Sequence, residues 1–111
     1  MKIKTLTPEF AITGQVLPAQ LSEVAKLGFK SIICNRPDGE EGGQPSFADM
    51  EAAAKAAGLD ARYIPVIPGL AGMKEVQDMA KGLDELNGPI LAFCRSGARS
   101  EAMYNAARQM G

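Results

Sequence analysis

The stretch Pro89-Ile90-Leu91-Ala92-Phe93-Cys94-Arg95-Ser96-Gly97-Ala98-Arg99-Ser100 falls into three pieces in immediate succession. Ile90 to Phe93 is a short apolar run of strand length. Cys94 to Gly97 is a tight loop. From about Arg99, with Ala102, Met103, Ala106, Ala107 and Met110 on one side, the spacing is that of a helix. A strand that delivers a residue into a short loop at a helix N-terminus is one half of a βα unit, and the remaining chain repeats the pattern. Phe10 to Thr13 reads as a strand and Pro18 to Leu27 as a helix, with Pro18 in the first turn and Gly28 at the C-terminal cap. Phe29 to Cys34 reads as a buried strand. Ser46 opens a helix that runs to Gly58, with Asp49 placed for a capping box. Arg62 to Ile67 reads as a strand that Pro65 confines to an edge. Lys74 to Leu86 reads as a helix, closed by Asn87-Gly88-Pro89. Alternating strands and helices predict an α/β fold, with a mainly parallel sheet of about four strands flanked by helices.

Composition narrows the chemistry. The 111 residues suit one domain, residues 1–111. Twelve Lys and Arg against 13 Asp and Glu leave a net charge of −1, with no electrostatic pull toward nucleic acid or anionic membrane. The chain has no histidine, which excludes Ser-His and Cys-His catalysis and every His-containing zinc site within it. Two cysteines, Cys34 and Cys94, are too few for a disulfide scaffold, so free thiols and a reducing cytoplasm are expected. The apolar runs are too short to span a bilayer, and MKIKTLTPEF has no apolar segment of a secretory signal. The carboxylates Asp38, Glu40 and Glu41 match no metal-ligand spacing, and no metal or other cofactor is called for.

In a parallel sheet, ligands bind at the carboxyl ends of the strands. Three loops leave those ends here, at Asn35, at Pro68-Gly69 and at Cys94, and they are expected to meet on one edge. There the Cys94 loop can aim successive N–H groups at its centre and add the positive end of a helix. Gly97 permits the chain reversal. Arg99 can fold back as a forked anion clamp, and Ser100 can hydrogen-bond the sulfur. These features depress the pKa of a thiol at the base, so Cys94 becomes a nucleophile beneath a cup for an anion formed by Arg95, Ser96, Gly97 and Ala98. The plain alternative is a buried cysteine followed by a solvated basic helix cap. In the loop from Asn35, Arg36 can steer an anionic donor. Asp38 can orient Arg36 or Arg95, or act as an acid; it equally suits an ordinary Pro-Asp-Gly turn. Cys34 is placed to resolve a persulfide on Cys94, although a packed strand cysteine accounts for it as well. Arg95 also suits an outward electrostatic lure.

Cys94-x-x-x-x-Arg99-Ser100 after a strand resembles the active loop of rhodanese-type sulfurtransferases. It is also similar to that of cysteine phosphatases, which place one more residue before the arginine. Gly28 to Glu41 with Gln44-Pro45, Tyr63-Ile64-Pro65-Val66, Leu91 to Gly97, and Gly14-Gln15 together resemble a bacterial family with a dual-specificity-phosphatase-like fold. That family occurs alone or as the N-terminal domain of beta-lactamase-hydrolase-like fusions, before a persulfide dioxygenase. The resemblance implies sulfur transfer in sulfide detoxification, with thiosulfate or glutathione persulfide as donor, a thiol as acceptor and a persulfide dioxygenase as neighbour. Members of the family usually continue beyond the last helix, so the chain reads as a short member or as one domain of a larger fusion. Three departures count against a phosphatase. The loop after the third strand, Pro68 to Gly72, has no carboxylate to serve as general acid. Phe93 stands where phosphatases usually carry histidine. The cup is one residue smaller. Sulfane-sulfur transfer needs no acid, because its leaving group is a stable anion. The alternatives are a cysteine-dependent phosphatase using Cys94 and a non-catalytic module that binds an anion or a persulfide.

Overall fold

The computed structural model describes residues 1–110, and Gly111 lies outside them. Five strands form one sheet: β1 (Lys4–Thr7), β2 (Phe10–Thr13), β3 (Ser31–Cys34), β4 (Asp60–Tyr63) and β5 (Ile90–Phe93), in the order β1-β2-β5-β3-β4. Four helices cover it: α1 (Leu21–Lys26), α2 (Phe47–Ala56), α3 (Met73–Glu85) and α4 (Ala98–Met110). β2, β5, β3 and β4 run parallel, and β1 pairs antiparallel with β2.

The side-chain alternation of β5 explains the layers. Ile90 and Ala92 point to one face beside Ile12 of β2 and Ile33 of β3, where Met79 of α3 and Met103 and Tyr104 of α4 cover them. Leu91 and Phe93 point to the other, where Val24 of α1 and Met50 of α2 pack. β2, β3 and β5 are buried along their whole length, which is why they carry continuous apolar runs rather than an alternating pattern.

Three expectations need correction. The sheet has five strands rather than about four, because β1, Lys-Thr-Leu-Thr, is polar and half exposed at the edge and has no apolar run to betray it. The strand expected at Arg62 to Ile67 lies at Asp60 to Tyr63. Proline cannot donate to a ladder, so the chain leaves the sheet before Pro65. The first helix begins as a 3-10 turn at Pro18–Gln20 before α1. No described helix is long and apolar enough to cross a membrane.

The register positions the site. Phe93 pairs with Thr13 on one side and Cys34 on the other, and Cys34 pairs with Tyr63. The four parallel strands therefore end on a single row. The next residue of each, Gly14, Cys94, Asn35 and Ile64, starts a loop at the same level. Residues far apart in sequence meet along this edge.

Candidate active site

The loop after β5 wraps around the sulfur of Cys94. Gly97 N donates to Cys94 Sγ at 3.0 Å. Gly97 has φ +96°, where an L side chain is strained, and a Cβ there would stand 3.4 Å from the Thr13 carbonyl. Gln15 N donates to Arg95 O at 3.2 Å, and Gly14 leaves room for that oxygen, since a Cβ would come within 3.0 Å of it. Gly14-Gln15 thus braces the loop from the neighbouring strand. Glu101 N donates to Gly97 O as α4 begins.

Cys94 is 1% exposed, yet it belongs to neither apolar cluster. Its sulfur is surrounded by amides. Burial pushes the thiol's pKa up, but the N–H groups of Ser100, Ser96 and Gly97, together with the Ser100 hydroxyl, more than reverse this. The net result is a pKa below that of an ordinary thiol. Ser100 Oγ is fully buried and makes no formed hydrogen bond in the resting geometry, so it remains a donor for charge on the sulfur. Cys34 behaves in the opposite way. Burial raises its pKa to about 11, and its Sγ donates to Arg36 O at 3.3 Å, so it stays a thiol.

Arg99 is held by three contacts. Nη1 donates to Glu40 Oε2 at 2.8 Å and to Val66 O at 2.9 Å, and Nη2 donates to Glu40 Oε1 at 2.7 Å. A guanidinium has five N–H donors in a fixed plane. Those left over are Nε–H and the second hydrogen of Nη2, which lie on one edge and make a second fork. Glu40 therefore holds Arg99 by its end and leaves its side free for an oxyanion. Arg36 Nε also donates to Glu40 Oε1 at 3.0 Å, and Arg36 Nη1 donates to Gln15 Oε1 at 3.0 Å. The hydrogen bond from Arg99 is the largest influence on Glu40, whose pKa falls to about 2 with further help from Arg36. The same contact raises the pKa of Arg99.

The structure thus brings Cys94, Ser96, Gly97, Arg99, Ser100 and Arg36 together at one edge. Arg95 points outward, 69% exposed, and pairs with Glu41 through Nε at 2.8 Å. Asp38 orients neither Arg36 nor Arg95. Its Oδ1 accepts from Phe47 N at 2.8 Å, and Tyr63 Oη accepts from its backbone N–H at 2.9 Å. The carboxylate is occupied in satisfying a free amide at the start of α2. Glu40 is the functional residue the sequence did not reveal. The sequence offers it no role beyond a failed metal spacing, and only the fold shows that Arg36 of one loop and Arg99 of the first turn of α4 converge on it. A cleft of about 510 Å³ opens beside Arg99, between Pro37 of one loop, Ile67 and Pro68 of another, and Arg95. It is the meeting point of the three loops. No group of three or more metal-ligating side chains stands together among the described residues.

The family described as "Beta-lactamase hydrolase-like protein, phosphatase-like domain" matches residues 2–110. The chain belongs to that family. A beta-lactamase hydrolase-like protein from Agrobacterium fabrum is 36% identical over 104 residues, which cover 94% of this chain and 24% of that protein. The chain thus spans about a quarter of the length of the curated relatives it matches. A Neisseria meningitidis protein, solved as a candidate phosphatase, is 33% identical with a TM-score of 0.83, over 90% of this chain and 71% of that one. The catalytic core of the PP-IP phosphatase SIW14 from Saccharomyces cerevisiae shares the fold, with a TM-score of 0.69 and 17% identity over 97% of this chain and 65% of that one. The fold is therefore that of dual-specificity-phosphatase-like proteins, an α/β sheet, mostly parallel, flanked by helices. These names lend more support to the phosphatase alternative than to sulfur transfer, and none of the three speaks of a sulfurtransferase.

Proposed function

We propose that the domain is a sulfurtransferase that carries sulfane sulfur on Cys94. The observation behind this reading is the state of the carboxyl groups around the sulfur. Glu40 is the carboxyl that the Arg99 guanidinium holds, and Glu41 beside it is paired with Arg95. The Glu40 pKa of about 2 keeps it ionised, so it has no proton to give. Asp38 is engaged by the amide of Phe47. Expelling an alkoxide from a phosphate ester draws on a general acid, whose contribution is typically ~10² to 10⁴-fold. Expelling sulfite or a thiolate does not.

The steps balance without a proton. The Cys94 thiolate attacks the outer sulfur of thiosulfate. The new S–S bond forms as the old one breaks, and sulfite leaves with the bonding pair. The resulting Cys94 persulfide anion lies against the Gly97 amide and the Ser100 hydroxyl, with the free edge of Arg99 toward the departing oxyanion. An acceptor thiolate then attacks the outer sulfur and releases the Cys94 thiolate. In a cytoplasm, low-molecular-weight thiols and their persulfides, glutathione persulfide among them, are the natural acceptors and alternative donors. A persulfide dioxygenase would be a fitting consumer of the product.

The second reading is phosphoryl transfer through a phosphocysteine, and the kinship and fold favour it. On this site it suits esters whose leaving group is already acidic. Mass spectrometry after incubation with thiosulfate and with glutathione persulfide separates the two readings when run beside turnover of an aryl phosphate. Sulfur transfer predicts a gain of one sulfur atom that is absent in Cys94→Ser. No sulfur gain from either donor, with Cys94-dependent aryl phosphate hydrolysis, would replace the first reading with the second. If both chemistries are absent while sulfate binds tightly, the domain is an anion-binding module.

A further inference from the structure

The two glutamates at the mouth are held very differently. Glu40 receives hydrogen bonds from both ends of the Arg99 fork and from Arg36, and its side chain is 22% exposed. Glu41 is 49% exposed. One of its oxygens, Oε1, lies 2.8 Å from Arg95 Nε and 3.3 Å from Arg36 Nη2. The Arg36 side chain is 5% exposed, and its Nη2 is buried without any hydrogen bond, so charge alone ties it to Glu41. A buried guanidinium nitrogen left without a formed hydrogen bond is costly, and a better-aligned acceptor would improve on Glu41.

We propose that the point where Arg36 Nη2 and Arg95 Nε converge is a second anion site, filled in the resting protein by Glu41 and taken over by a distal anionic group of the ligand. The proposal rests on the reading of the Cys94 loop as an anion cup and serves either chemistry there. Displacing Glu41 strands no buried charge, because its carboxylate is already half in water. Glu40 cannot be displaced in the same way without releasing Arg99. The cleft lined by Arg95, Arg99 and Glu41, about 510 Å³, is of a size for a small molecule rather than a protein segment, and Arg36 lies behind Glu41. Ile67, 55% exposed, and Pro68 give it an apolar wall. The ligand class is therefore a small bis-anion, with one charged end at Cys94 and Arg99, a carboxylate or sulfonate at Arg36 and Arg95, and a short apolar body between them. Glu41 then acts as a specificity residue by competition: it leaves a single anion in the cup alone and yields only to a second charge placed well enough to displace it.

The test is titration calorimetry on the Cys94→Ser protein with inorganic sulfate and with 3-sulfopropionate. The bis-anion is expected to bind about tenfold more tightly than sulfate, from charge-assisted hydrogen bonds that sulfate cannot make. Glu41→Gln is expected to widen that ratio, and Arg95→Gln to bring it close to unity. A ratio near one in the Cys94→Ser protein, or a ratio indifferent to both changes, overturns the proposal. If sulfate fails to bind while 3-sulfopropionate binds through Arg95, the cup reading falls and the second site stands. If neither binds, both fall.

Discussion

Arg99 and Glu40 meet end to end, with both guanidinium termini on both carboxylate oxygens at 2.7 and 2.8 Å, although 59 residues separate them. The pair fixes the plane of Arg99 and leaves its Nε edge unused on a rigid support. Glu40 is thus a positioning residue: it acts through Arg99. Misplacement of a clamp by about 1 Å can cost on the order of 10²-fold in rate. Glu40→Gln keeps the size and loses the charge, and is expected to lower kcat by roughly ten- to a hundredfold. Glu40→Asp is expected to recover part of this. Steady-state kinetics of the Cys94-dependent reaction provide the measurement. Unchanged kcat in Glu40→Gln would assign Glu40 to stability alone.

The pH dependence has a definite sign. Glu40, lowered to about 2, is ionised throughout the neutral range. Its contribution to stability is complete above the ordinary carboxylate range and is lost only as pH falls toward about 2. Loss of activity on the acid side therefore belongs to Cys94. The lowered Cys94 pKa makes the rate rise with pH and level off below the ordinary thiol value of 9.0. The same shift means that the unfolded chain holds the thiol proton over a range where the folded chain has lost it. Stability gained from the Cys94 thiolate accordingly grows with pH across that range and is lost as pH falls through the folded pKa. A pH–rate profile, and melting curves of wild type against Cys94→Ser over the same range, check both statements.

The two cysteines give a contrast that a single reagent reads. Cys34, with its pKa raised to about 11, holds its proton at neutral pH, whereas Cys94 favours the thiolate. The thiolate is the reactive form. Iodoacetate at neutral pH is expected to label Cys94 first and stop activity, with Cys34 modified only after denaturation. Peptide mapping after partial labelling decides it; preferential modification of Cys34 in the folded protein would invert the assignment.

How much of this was legible beforehand follows from where the information lies. The strand-loop-helix at Cys94 was readable because its signals are local: an apolar run, a glycine that must reverse the chain, and an arginine a few residues on. The convergence of the Asn35, Pro68 and Cys94 loops was readable from the βα alternation alone, since parallel strands must end together. β1 was hidden because an edge strand with one polar face carries no hydrophobic signature. Glu40 was hidden for another reason. Its partners Arg36 and Arg99 come from a loop and from the first turn of α4, and the Arg36–Glu40 spacing has meaning on a helix but none in a turn. For Asp38 the sequence leaves a turn, an arginine partner and an acid open, and the choice depends on where the turn carries the carboxylate, which is to the first amide of α2.

That placement of Asp38 is itself testable. Its carboxylate accepts from one of the amides that a helix N-terminus leaves free, so Asp38→Ala is expected to cost about 1 kcal/mol of stability. For a domain of this size that is a fall of a few degrees in Tm, on the order of 4 °C. Turnover per folded molecule should stay within about twofold, the range of ordinary surface changes. Thermal melting together with kcat separates this from the role of an acid or an arginine-orienting group, which would cut kcat and leave Tm nearly unmoved.

Gly97 joins the fold to the chemistry, and its substitution separates strain from electrostatics. Its φ of +96° disfavours any side chain, and a Cβ would stand 3.4 Å from the Thr13 carbonyl. Gly97→Ala is therefore expected to destabilise the protein by roughly 1–3 kcal/mol, the range for a residue forced into a sparsely populated backbone region. The same change turns the amide that donates to Cys94 Sγ at 3.0 Å. The thiolate then loses a donor while its burial remains, so its pKa rises back toward the ordinary thiol value. The expected signature is a pH–rate profile displaced to higher pH in Gly97→Ala, measured at a temperature where the variant is fully folded. A variant that melts earlier but keeps the wild-type profile would show that the Gly97 amide shapes the loop without holding the charge.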